Sequence, residues 1–166
     1  MKWIFPIAAI TLVLVVTMVS PNIANAQLNS ALGSAHIDAA DTQILINVAA
    51  HSGSLGENPF GHYHFQTVPG DIAMVELDAD VTCLSVVGNL ATVGGFVTQF
   101  VVNGVAVTGV HGLLQIFEDN RALGVPDAVS GVTTLPDAPS ICPPPNPAAA
   151  TFVINRGNIV VHDAGL

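Results

Sequence analysis

His62 and His64 stand two residues apart in an aromatic run, Phe60-Gly61-His62-Tyr63-His64-Phe65-Gln66. In a β-strand, alternate residues share a face. Two imidazoles at that spacing can hold one transition-metal ion; the same spacing also suits two histidines on a solvent face. Asp78 and Asp80 repeat the geometry with carboxylates, alternating with Leu77, Ala79 and Val81. Such a pair can bind Ca²⁺ or act as acid and base, or form the wet side of a half-buried strand. Glycoside chemistry is disfavoured, because it needs two carboxyls flanking a cleft. A third set of oxygen ligands is Asp119, Asn120 and Asp127, following Glu118. The spacing does not match the EF-hand loop, which leaves an irregular Ca²⁺ loop or side-chain-to-backbone turn bonds. Neither a G-x-S-x-G nucleophile elbow nor a phosphate loop is present.

The two cysteines are Cys83 and Cys142. An even pair in an exported protein reads as a disulfide, with separate free thiols as the alternative. A bridge here closes a loop of about 60 residues, worth roughly 4 kcal/mol in the chain-entropy model. Export is indicated at the start of the chain. Met1-Lys2 precedes an apolar run from Trp3 to Val19, then Ser20-Pro21-Asn22 and Ala24-Asn25-Ala26. A basic start, an apolar centre and an A-x-A end describe a signal peptide cut between Ala26 and Gln27; a retained anchor is the alternative. The expected location is secreted or extracellular. Past the leader the cations are Arg121 and Arg156, against 12 carboxylates in the whole chain. That balance excludes nucleic acid and anionic membrane as natural partners, since both call for basic patches.

These side chains need a scaffold, and the composition points to strands. Charged residues make up 9% of the chain, and Val, Ala, Gly and Thr prevail, which favours β over helix. The central feature is a hairpin. Gly88-Asn89 lies between two apolar runs and pairs Val87 with Leu90, Val86 with Ala91, Ser85 with Thr92 and Leu84 with Val93. The apolar phase changes near Cys83-Leu84, opposite Gly94-Gly95, which predicts a β-bulge there. Asn103-Gly104 predicts a second hairpin turn. Further strands are expected at Gly33 to Asp38, Gln43 to His51, Phe60 to Gln66, Ile72 to Val87, Leu90 to Val102, Leu113 to Glu118, Thr151 to Asn155 and Asn158 to His162. Gln27 to Leu32 reads as a loose lead, Val68 to Asp71 as a turn, and Arg156-Gly157 as a connection. Asp119 to Ala150, rich in Pro, Gly and Asp, reads as one long surface loop. The expectation is a single all-β domain, an antiparallel barrel or barrel-like sandwich.

Three blocks carry a family resemblance: Val81-Thr82-Cys83-Leu84 with Val87-Gly88-Asn89-Leu90-Ala91, Glu118-Asp119-Asn120, and Arg156-Gly157-Asn158-Ile159-Val160-Val161-His162-Asp163-Ala164. In this order they resemble a group of uncharacterised secreted bacterial all-β proteins, over roughly Gly33 to Ala164. The resemblance implies a compact exported domain and brings no catalytic residues with it. Similar proteins also carry a cysteine in the Pro-rich loop, which supports the bridge. Gly56, five residues and then His-x-His is similar to the opening of a cupin motif, but Val68-Pro69-Gly70-Asp71 stands where its Glu would follow. The expected role is a non-enzymatic exported module, structural or binding, for a small apolar ligand or a surface partner, with no cofactor required. A metal-dependent, cupin-like enzyme using His62 and His64 is the first alternative. Ca²⁺-dependent adhesion, or self-assembly through sheet edges, is the second.

Overall fold

The computed structural model describes residues 27–39, 42–68 and 73–165. The expected leader with its Ala24 and Ala26, and residues 69–71 of the turn expected at Val68 to Asp71, lie outside the described residues. The chain forms β1 (Asn29–Ala39), β2 (Thr42–Ser52), β3 (Phe60–Val68), β4 (Val75–Val87), β5 (Leu90–Val102), β6 (Val105–Ala106), β7 (Gly112–Glu118), β8 (Ala128–Val129), β9 (Thr133–Leu135), β10 (Phe152–Val153) and β11 (Arg156–His162). They make one antiparallel sheet in the order β10-β8-β7-β5-β4-β3-β2-β1-β11, with β6 on β5 and β9 on β7. The sheet curls into a half-barrel. Among the described residues no helix is long and apolar enough to cross a membrane.

The central hairpin has the expected register, Val87 with Leu90 through Leu84 with Val93. Gly88 has φ 60°, as the first position of a two-residue hairpin turn demands. Asn103 and Gly104 have φ 51° and 78°, and Val102 pairs with Val105. The predicted slip is present: Val81 pairs with Gly95 but Cys83 with Gly94, so Thr82 is the extra residue. A second bulge places Thr98 outside the ladder, between the Asp78–Gln99 and Ala79–Val97 pairs. Each extra residue reverses which side chains face inward. Leu77, Ala79 and Val81 fill the core before the first slip and Leu84 after it, while Cys83 turns outward.

Three expectations need correction. Residues 27–32 are not a loose lead: β1 begins at Asn29, and Asn29, Ser30 and Ala31 are buried. Its backbone pairs with β2 on one side and β11 on the other. Arg156-Gly157 is no connection, because both residues pair with β1 within β11. Nor is the 119–150 stretch free of regular structure. It contributes β8 and β9 and two short 3₁₀ turns, Arg121–Leu123 and Pro147–Ala149. Short pairings escape a reading based on proline content, since the prolines fall between them.

Residues 136–145 form a strap across the outer face of β4, β5 and β7. Cys83 and Cys142 are disulfide-bonded, with Cα atoms 5.3 Å apart. Thr82 Oγ1–H donates to the Pro139 carbonyl at 2.7 Å. Gly94 and Gly112 let the strap lie flat. A Cβ on Gly94 would meet Cys83 Sγ at 2.5 Å and Pro139 at 2.7 Å, and one on Gly112 would strike the Asp137 carbonyl.

Candidate functional site

Pairing of β3 with β4 sets His62 opposite Asp80 and His64 opposite Asp78. All four side chains lie on the outer face, since Tyr63, Leu77 and Ala79 point into the core. His64 Nδ1 is 2.8 Å from Asp78 Oδ1. An ionised carboxylate only accepts, so Nδ1 is the donor in this bond, and in a neutral ring the lone pair lies on Nε2. His62 Nε2 is 3.4 Å from the same Asp78 oxygen, and its Nδ1 is 3.7 Å from Asp80 Oδ1. His62 and Asp80 are open to solvent, with side chains 57% and 69% exposed, whereas Asp78 is 24% exposed. The row extends on both sides: Asn47 pairs with His64, and Gln99 with Asp78. Asn47, His64, Asp78 and Gln99 thus form a polar band across four strands.

The two pairs were readable separately in the sequence, but their meeting was not. A two-residue turn fixes register; the β3–β4 connection is longer, so Gln66 opposite Glu76 was not available from spacing. Among the described residues, no group of three or more His, Cys, Asp and Glu side chains is arranged to hold a metal ion. What the strip offers is an imidazole oriented by Asp78 and an exposed carboxylate, Asp80, with no enclosing walls.

Asp119, Asn120 and Asp127 do come together, at the seam between the curled sheet's two ends. Asp127 is buried. The Asn120 N–H donates to its Oδ1 at 2.8 Å and the Ile159 N–H to its Oδ2 at 3.0 Å. With its amide nitrogen turned toward Asp127, Asn158 adds a bond of 3.2 Å and accepts one from Arg121 Nη1. Asp119 Oδ2 accepts from the Val161 N–H at 3.2 Å and from Arg121 Nη2 at 2.8 Å. These carboxylates cap backbone donors that β11 would otherwise leave bare at a sheet edge. The Arg121 hydrogen bond holds the Asp119 carboxyl below its usual range, against a smaller opposing effect of burial. The motif that suggested Ca²⁺ ligands thus engages its oxygens with N–H donors, as turn-forming residues do. No spacing rule marks a carboxylate that closes a sheet 32 residues away along the chain.

The interior is filled. Tyr63, Phe117, Ile46, Leu77, Leu113 and Ile159 are fully buried. The Tyr63 hydroxyl donates to Gln115 Oε1 at 2.8 Å, and Gln115 Nε2–H to the Ser130 carbonyl at 2.8 Å. Burial raises the Tyr63 phenol well above its ordinary value. An apolar space of about 90 Å³ among Ile37, Ile44, Phe65 and Phe152 is below the roughly 300 Å³ at which small-molecule pockets begin. A shallow groove of about 480 Å³ lies outside, beside the disulfide, between Leu55 and Ile141.

Comparison with protein-family models, with curated proteins and with solved structures found no match to this chain.

Proposed function

We propose that the chain is an exported, non-enzymatic β-barrel module that binds a ligand or surface partner outside the cell through the outer face of β2 to β5. The observation that carries this reading is the polar band of Asn47, His64, Asp78 and Gln99, with His62 and Asp80 beside it. The core behind it is filled with side chains, and the neighbouring outer face lies under the strap. On the face of β2 to β5, imidazole and carboxylate groups are gathered on this strip. The imidazoles face carboxylates and the cysteines are joined to each other, which favours recognition over nucleophilic catalysis. A disulfide favours an oxidising compartment, and the leader-like start supplies the route there.

The reading is tested in two steps. N-terminal sequencing of the protein recovered outside the cell should begin at Gln27. Labelled protein added back to source cells should bind saturably, and Asn47→Arg with Gln99→Arg should abolish that binding while Asp38→Arg leaves it intact. Retention inside the cell with the leader attached, or binding indifferent to the strip, would refute the proposal.

A further inference from the structure

We propose that His62 and His64 form a chelate for a divalent transition-metal ion, copper(II) ahead of zinc(II). This deepens the reading of the outer strip as a binding surface and rests on it for biological purpose, though not for its chemistry. Two imidazoles occupy alternate positions of one strand and lie on the same face. His64 Nδ1 lies 2.8 Å from Asp78 Oδ1, and in the neutral ring a bond donated there leaves Nε2 as the ligand nitrogen. Metal-bound histidines have this arrangement, one nitrogen on the ion and the other donating to a carboxylate. His62 is more than half exposed, so its ring can turn to bring a nitrogen to the same ion without disturbing the core. Two imidazoles supply the protein ligands and water completes the shell.

The metal class follows from the donors. Imidazole suits copper, nickel and zinc, and affinity along the first row peaks at copper(II). Calcium and magnesium take oxygen shells and would not need the histidines. Thiolate competition is absent because both cysteines lie in the disulfide. The chain's net charge of −9 raises cation concentration near the surface. Asp78 is a positioning residue here: it holds His64 and does not itself take the ion.

The test is calorimetric titration of copper(II), then zinc(II), into Gln27–Leu166, which contains every described strand. Wild type should bind one equivalent, copper more tightly. His62→Gln and His64→Gln should each weaken binding at least tenfold, and the double variant should abolish the site. Asp78→Asn should weaken it about tenfold through loss of the outer partner; His111→Gln should leave it unchanged. Paramagnetic resonance of the copper form should show two nitrogen ligands. An unchanged urea midpoint would show that the variants remain folded. Full-affinity binding in the double variant, or no copper binding by wild type, overturns the proposal. Failure of surface binding with copper binding intact would refute the broader functional reading alone.

Discussion

Replacing Asp127 by alanine isolates the device that closes the sheet. The substitution strands two buried backbone donors, the N–H of Asn120 and that of Ile159, which its carboxylate accepts at 2.8 and 3.0 Å. Ile159 is fully buried and Asn120 nearly so, and water reaches neither without opening the seam. A buried donor left unpaired costs about 1–3 kcal/mol, so the two together come to about 2–6 kcal/mol. Part of this is offset because a desolvated carboxylate is also removed. The expected loss is about 3 kcal/mol by this accounting. Asp127→Asn keeps one acceptor oxygen and should lose roughly half as much. Urea unfolding with an unchanged m-value reads the loss as a shift of midpoint, and amide exchange at Ile159 should quicken with it. Asp38→Ala, which removes an exposed pair with Arg156 at 3.4 Å, serves as the control and should cost well under 1 kcal/mol. A loss below about 1 kcal/mol for Asp127→Ala would show that the seam is not held as argued.

Joint Cys83→Ser and Cys142→Ser substitution opens a covalent loop with a sequence separation of 59. It should cost about 4 kcal/mol by urea unfolding, with the 136–145 strap becoming sensitive to protease. Gly94→Ala should cost about 1–3 kcal/mol through overpacking, because its Cβ would meet Cys83 Sγ and Pro139. Gly88→Ala meets nothing within 4 Å and should lose only about 1–2 kcal/mol, from its left-handed backbone. Asp119 has a lowered pKa in the folded protein because Arg121 bonds its ionised form. Its contribution is therefore present above the ordinary carboxyl value of 3.8 and lost as pH falls through the folded value. Wild type should accordingly lose more stability than Asp119→Asn in acid denaturation below pH 3.8, and equal acid sensitivity would contradict the Arg121 assignment.

Local chemistry made much of the architecture legible. Gly88-Asn89 and Asn103-Gly104 fixed two hairpins because a two-residue turn leaves one register. The phase change at Cys83-Leu84 opposite Gly94-Gly95 revealed the bulge, since side-chain alternation has a period of two and a slip cannot be hidden. Gly94 has a second role that alternation does not encode: it makes room for the strap. Pairing of the two cysteines followed from their number and the export expected from the first 26 residues.

What the tertiary structure decided is everything that depends on segments meeting over long or irregular connections. His64 meets Asp78 because β3 and β4 pair with Gln66 opposite Glu76, a register set by a connection whose length leaves several alternatives open. Asp127 looked like a loop ligand and proved to be the acceptor for Ile159. A carboxylate beside prolines has the same appearance in sequence whether it binds a cation or caps a strand edge. Only curling of the sheet brings the Ile159 N–H of β11 within its reach.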